Sequence, residues 1–171
     1  WQADKLGYDI IIHFTDQEDR IPPCVLNKKV AGIIIVGAVE EDRIESLSGF
    51  GIPLIVVDST TYGYPVDSIL ADNRGGAFLA VSHFLRNGYR KIGFFGDLDY
   101  SLSIKERYLG YVEAMATVME DGAMQTALIK TMKYSLLRDV ERYVLAKNVK
   151  VVAERVRTME ELPEVFMCSN D

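Results

Sequence analysis

Polar residues gather at the ends of apolar runs in this chain. Thr15-Asp16, Gly37-Ala38, Asp58-Ser59, Asp72-Asn73, Gly96-Asp97 and Asn170-Asp171 each close a stretch that reads as a β-strand or its last turn. Most of these pairs carry a carboxylate or an amide, the groups that exchange hydrogen bonds with ligand hydroxyls. In open α/β sheets, loops at the carboxyl ends of strands meet ligands, because helix N-termini point outward there. The same residue types also turn chains, and on type alone the turn role is favoured. Catalysis finds no support. His13 and His83 make neither a metal site nor a triad, and His83, among apolar residues on a helix, reads as a packing residue. Gly75-Gly76 lacks the Lys-Ser/Thr sequel of a phosphate loop. Ser101 and Ser103 have no nucleophile elbow and no nearby base. Cys24 and Cys168 match no metal or redox spacing and read as free thiols. No cofactor is implied.

The elements that must position these residues are best marked between Val66 and Gly96. An apolar run at Ile69-Leu70-Ala71 stops at Asp72-Asn73, and Ala77, Val81, Phe84 and Leu85 then recur at helical spacing. Asp72 or Asn73 can cap that helix, Gly88 can end it, and Ile92-Gly93-Phe94-Phe95 follows as a strand. This is a βαβ unit with a parallel sheet. Across the chain, strands are expected at 9–14, 32–36, 54–58, 68–71, 92–96 and 164–168, with a weaker candidate at 127–131. Helices are expected at 75–87, 103–120 and 135–147, with a shorter one around 41–48. Residues 149–157 fit a strand or a helix equally. Ser103 and Glu106 have capping-box spacing, and Tyr108, Val112, Met115 and Met119 share one face of their helix. Pro22-Pro23 interrupts the connection before 32–36, leaving room for a helix of only Val25–Lys29 unless residues are absent there.

Composition sets broad limits. The chain has 171 residues, of which 49% are hydrophobic, enough to bury a real core. A formal charge of −6 argues against this stretch gripping phosphate backbones unaided. No apolar run approaches the roughly 20 residues that span a bilayer.

The motifs in order resemble the effector-binding domain of the LacI/GalR family of bacterial transcriptional regulators. The resemblance is carried by Asp72-Asn73, Gly75-Gly76, His83-Phe84 and Gly88-Tyr89-Arg90-Lys91-Ile92, with Tyr89 where a second His is usual. Upstream it continues through Leu6-Gly7-Tyr8-Asp9, Val30-Ala31-Gly32-Ile33-Ile34, Gly51-Ile52-Pro53 and Val56-Val57-Asp58. Downstream it includes Ser101-Leu102-Ser103, Arg107, Gly110-Tyr111 and Ser169-Asn170-Asp171. Between Gly122 and Pro163 the match is poor.

That resemblance implies a two-lobed, periplasmic-binding-protein-like α/β fold, each lobe a parallel sheet flanked by helices. Residues 1–90 would form the N-terminal lobe, without its first strand, and 91–171 part of the C-terminal lobe. The chain then reads as a fragment. It implies effector contacts at Asp58, Ser101, Ser103, Arg107 and Asn170, facing a cleft between the lobes. It also implies a cytoplasmic homodimer that binds a small molecule, sugars foremost, and operator DNA through an N-terminal domain absent from this chain. Asp72-Asn73 is expected to be structural, a helix cap. A periplasmic sugar-binding protein of a transport system shares the architecture and is the competing reading. An enzyme on the same scaffold is a more distant third.

Overall fold

Branched residues dominate Ile33–Val36 and Leu54–Val57, and both runs are strands, β1 and β2, in the computed structural model of the protein. The structure describes residues 2–14, 20–37, 39–59 and 63–169. β1 and β2 pair in parallel, Ile33 opposite Leu54, and β2 pairs in parallel with the short β3 (Asp67–Ile69). Among the described residues, the same unit has three helices: α1 (Gln2–Lys5), α2 (Pro23–Leu26) and α3 (Glu41–Ser48). Gly7 takes a left-handed φ of 76° just past α1, a conformation that costs glycine little. Val25, Ile44, Leu47 and Val56 are buried.

A second group of elements follows Leu70. α4 (Asn73–Arg86) starts on a side-chain cap, the Asp72 carboxylate accepting from the Gly75 amide at 2.9 Å. Its Ala77, Val81 and Leu85 are buried, four residues apart on one face. β4 (Ile92–Phe95) comes next, then α5 (Leu102–Ala116), α6 (Met124–Met132), α7 (Glu141–Leu145), α8 (Val149–Arg157) and β5 (Val165–Cys168). β4 and β5 pair in parallel, Ile92 opposite Val165, and Phe95 makes a parallel bridge to Leu136. α5 buries more residues than any other described element. Phe94 meets Tyr108 and Tyr111 at ring separations of 5.2 and 5.5 Å. The Tyr111 hydroxyl donates to the Ile92 carbonyl at 2.6 Å, and burial pushes its pKa well above the ordinary tyrosine value. Gly110 lets α5 approach α4 closely, since a Cβ there would run into the Arg74 carbonyl and lie 3.1 Å from Ala77. Glu164 accepts from the backbone amides of Arg90 and Lys91, bonds that hold its pKa below the usual carboxylate value.

The protein is therefore α/β, with parallel sheets accompanied by helices. The two compact units divide between Ile69 and Leu70, not between residues 90 and 91. The reason is that α4 buries its apolar face with α5, so it belongs with the strand after it rather than those before it. Other expectations are also corrected. Residues 9–14 form no described strand, because a ladder needs a partner edge and apolar sequence alone supplies none. Residues 127–131 lie inside α6, with Ala127 and Thr131 buried one helical turn apart. The helix expected at 135–147 shrinks to α7, since Leu136 is spent beside β4. α8 resolves the ambiguity at 149–157 as helix, capped by Asn148 accepting from Val151. The cap of α5 is Ser101, which accepts from the Ile104 amide, and Ser103 is buried against it instead of opening a capping box.

Candidate functional site

α4, α5 and β5 bring their ends together around a concave pocket of about 460 Å³. Its walls are Asp72, Asn73, Gly76 and Ala77 from the start of α4, Arg107 from α5, and Met167, Cys168 and Ser169 from the end of β5. The lining follows from the topology. A parallel strand delivers its last residues, and a helix its first turn, to the same edge of the sheet. The positive end of the α4 dipole lies on this edge as well.

Arg107 is the organising side chain. Its Nε donates to the Asn73 Oδ1 at 3.0 Å, and its Nη1 donates to the Ser169 carbonyl. Asn73 is buried at 6% exposure, and its Nδ2 donates to the Glu106 carboxylate at 3.1 Å. Beside this group, Arg74 holds Glu113 through both carboxylate oxygens, a forked pair between α4 and α5. The Arg74 bond pulls the Glu113 pKa down and raises that of Arg74. Asp72 and Arg107 give the pocket one acceptor-rich and one donor-rich wall, an arrangement suited to a small molecule with several hydroxyls.

The expected contacts are distributed unevenly. Arg107 lines the pocket. Ser101 and Ser103 sit at the start of α5, their hydroxyls 3.0 Å apart, and are absent from its lining. Asp58 lies in the first unit, exposed, at the end of β2, with a left-handed φ of 60° that aspartate tolerates better than most residues. Asn170 lies outside the described residues. His83 is exposed, not packed in the core, and meets Phe84 edge-on. Sequence reading missed Asn73 and Ser169 as pocket residues. The Asp72-Asn73 strand end was a signal for Asn73, but capping explains only Asp72. Among the described residues, no group of His, Cys, Asp and Glu could hold a metal ion.

No family model matches the chain. The repressor PurR of Actinobacillus pleuropneumoniae serotype 5b is 34% identical over 115 residues, covering 64% of this chain and 34% of that protein. The maltose regulon regulatory protein MalI of Escherichia coli K12 is 33% identical over 100 residues, covering 57% of this chain and 28% of that protein. A LacI family transcriptional regulator from Enterococcus faecium, solved with bound ribose, superposes with a TM-score of 0.67 at 21% identity, over 99% of this chain and 58% of that one. The chain is thus similar in sequence to LacI-family repressors and similar in fold to solved LacI-family regulators. It spans about a third of the length of the curated relatives it matches. CcpA of Lactococcus lactis shares the fold, with a TM-score of 0.59 at 20% identity over 97% of this chain and 68% of that one. This periplasmic-binding-protein-like α/β architecture is the one the resemblance implied. These LacI/GalR relatives are transcription regulators, not enzymes, and a transport-protein reading is not favoured.

Proposed function

We propose that this chain is an effector-sensing part of a LacI/GalR-type transcriptional regulator and binds a small polyhydroxylated molecule beside Arg107. The observation that carries the reading is the guanidinium held at the rim of a pocket where α4, α5 and β5 meet. A fork of fixed donors suits vicinal hydroxyls or a carboxylate. Sugars are the proposed class, supported by the ribose in the Enterococcus faecium relative and the fructose 1-phosphate in Cra of Pseudomonas putida. Asp58, Ser101, Ser103 and Asn170 are proposed as further polar contacts. Residues 1–90 and 91–171 were expected to be the two lobes; the proposal now takes the division at Ile69, so that the pocket residues belong to the second lobe.

Effector binding would shift a two-state equilibrium and so change operator affinity. Operator DNA is assigned to a part of the protein other than these residues, in keeping with their charge of −6. The working form is proposed to be a cytoplasmic homodimer, and among the described residues no helix is long and apolar enough to cross a membrane.

The test is a thermal-shift screen of sugars and nucleobases, beginning with D-ribose, followed by calorimetry on Arg107→Ala. A ligand that binds only the folded state raises the melting temperature. Loss of a charged hydrogen bond should weaken the bound ligand by about 1.5–3 kcal/mol, or roughly 10- to 150-fold. An unchanged dissociation constant rejects the role of Arg107.

A further inference from the structure

Asn73 spends its side chain in a way that helix capping does not explain. Asp72 already caps α4 through the Gly75 amide. The Asn73 amide instead crosses to α5, where it donates to Glu106 and accepts from Arg107, two consecutive residues. A carboxylate only accepts and a guanidinium only donates, so the amide has one permitted orientation, nitrogen to Glu106 and oxygen to Arg107. No other bonding arrangement satisfies both neighbours with one neutral group. Arg107 is thereby fixed at Nε by the start of α4 and at Nη1 by the Ser169 carbonyl past β5. Two anchors on one rigid plane define both its position and its rotation.

We infer that Asn73 is the positioning residue that aims Arg107 into the pocket, and that Glu106 sets the polarity of the Asn73 amide. The inference rests on the proposed ligand role of Arg107. It makes the guanidinium preorganised, so that a ligand does not have to order it. A merely structural Asn73 would join α4 to α5 without dictating what Arg107 does.

The test reads the Arg107 Nε–H directly by ¹⁵N–¹H NMR on the ligand-free protein, with the resonance assigned by its loss in Arg107→Lys. In the unsubstituted protein this proton should exchange with water more slowly than that of the exposed Arg86. Asn73→Ala should speed its exchange by about tenfold or more, in line with a lost charged hydrogen bond. Asn73→Leu, close in volume and lacking any acceptor, should do the same. Combining Asn73→Asp with Glu106→Gln reverses both polarities: the new amide donates, and the new carboxylate accepts from it and from Arg107. Slow exchange should return in that double variant. If Asn73→Ala fails to fold, Glu106→Ala replaces it, since an amide released from Glu106 is free to turn and should also expose the Nε–H. Nε–H exchange as fast as that of Arg86 in the unsubstituted protein, unchanged exchange in the folded single variants, or no recovery in the double variant would overturn the inference. The affinity of whichever sugar the screen identifies should follow the same order across the variants. If no ligand is found, the proposed function fails on that result, while the exchange measurement still decides whether Asn73 positions Arg107.

Discussion

Phe94 in the second unit and Val36 in the first both lie at or near the end of a parallel strand, yet their surroundings are opposite. Phe94 is fully buried, enclosed by Tyr108 and Tyr111 of α5, and belongs to a core that runs from Ala77 of α4 to Met167 of β5. Val36 is 75% exposed and Ile34, two residues before it, 66%. Residues 8–14 of the first unit repeat the pattern, with Ile10, Ile11, Ile12 and Phe14 all exposed. A strand becomes a stable element when something covers it, and branched sequence alone does not ensure that. The second unit has two long helices, α4 and α5, locked together by small residues. Among the described residues, the first has α3 as its longest helix, eight residues. Burial, more than strand propensity, distinguishes the two.

The comparison can be broken by mutation. Phe94→Ala should have the largest effect, destabilising the second unit by about 3–5 kcal/mol through lost burial and the cavity left behind. Chemical denaturation followed by tyrosine fluorescence would show it, and a loss below about 1 kcal/mol would mean the core is less closed than it looks. Gly110→Ala comes next, at about 1–3 kcal/mol, because the added methyl meets backbone at the α4–α5 crossing and the helices must separate. Its signature should be faster hydrogen exchange in both helices, whereas a change confined to α5 would show that the crossing is looser than the contact implies. Val36→Thr should matter least, within about 0.5 kcal/mol, as surface substitutions usually do. A larger loss there would reveal that β1 is covered in solution, and would remove the contrast between the units.

Much of this was legible in the sequence where the signal was local. Ala77, Val81 and Leu85 fixed α4 by periodicity, and the run from Ile92 to Phe95 marked β4, because each pattern reports its own burial. Glu41–Ser48 was legible as a short helix for the same reason. The failures were tertiary. The lobes were expected to divide between residues 90 and 91, just after the helix that Gly88 ends, whereas the two compact units divide at Ile69-Leu70, in the run that had read as one strand. Residues 127–131 read as a weak strand candidate, and the burial of Ala127 and Thr131 one turn apart goes with a helix instead. Within the site, Arg107 was found by resemblance. Asn73 was not, because its role depends on two residues more than thirty positions away. Spacing along the chain carries no trace of such a contact.

The Tyr111 hydroxyl, buried and donating to the Ile92 carbonyl, turns the second unit into its own alkaline indicator. Burial holds its phenol protonated well above the ordinary tyrosine range. Because the folded pKa is raised, the associated stability is fully present below the unfolded value and declines as pH rises past it toward the folded one. An ultraviolet titration monitoring phenolate absorbance should therefore resolve two populations among the nine tyrosines, with the late one ionising only as the second unit opens. The Tyr111→Phe variant should lack part of that late absorbance step. A single smooth step in both proteins would show that the hydroxyl reaches water without unfolding.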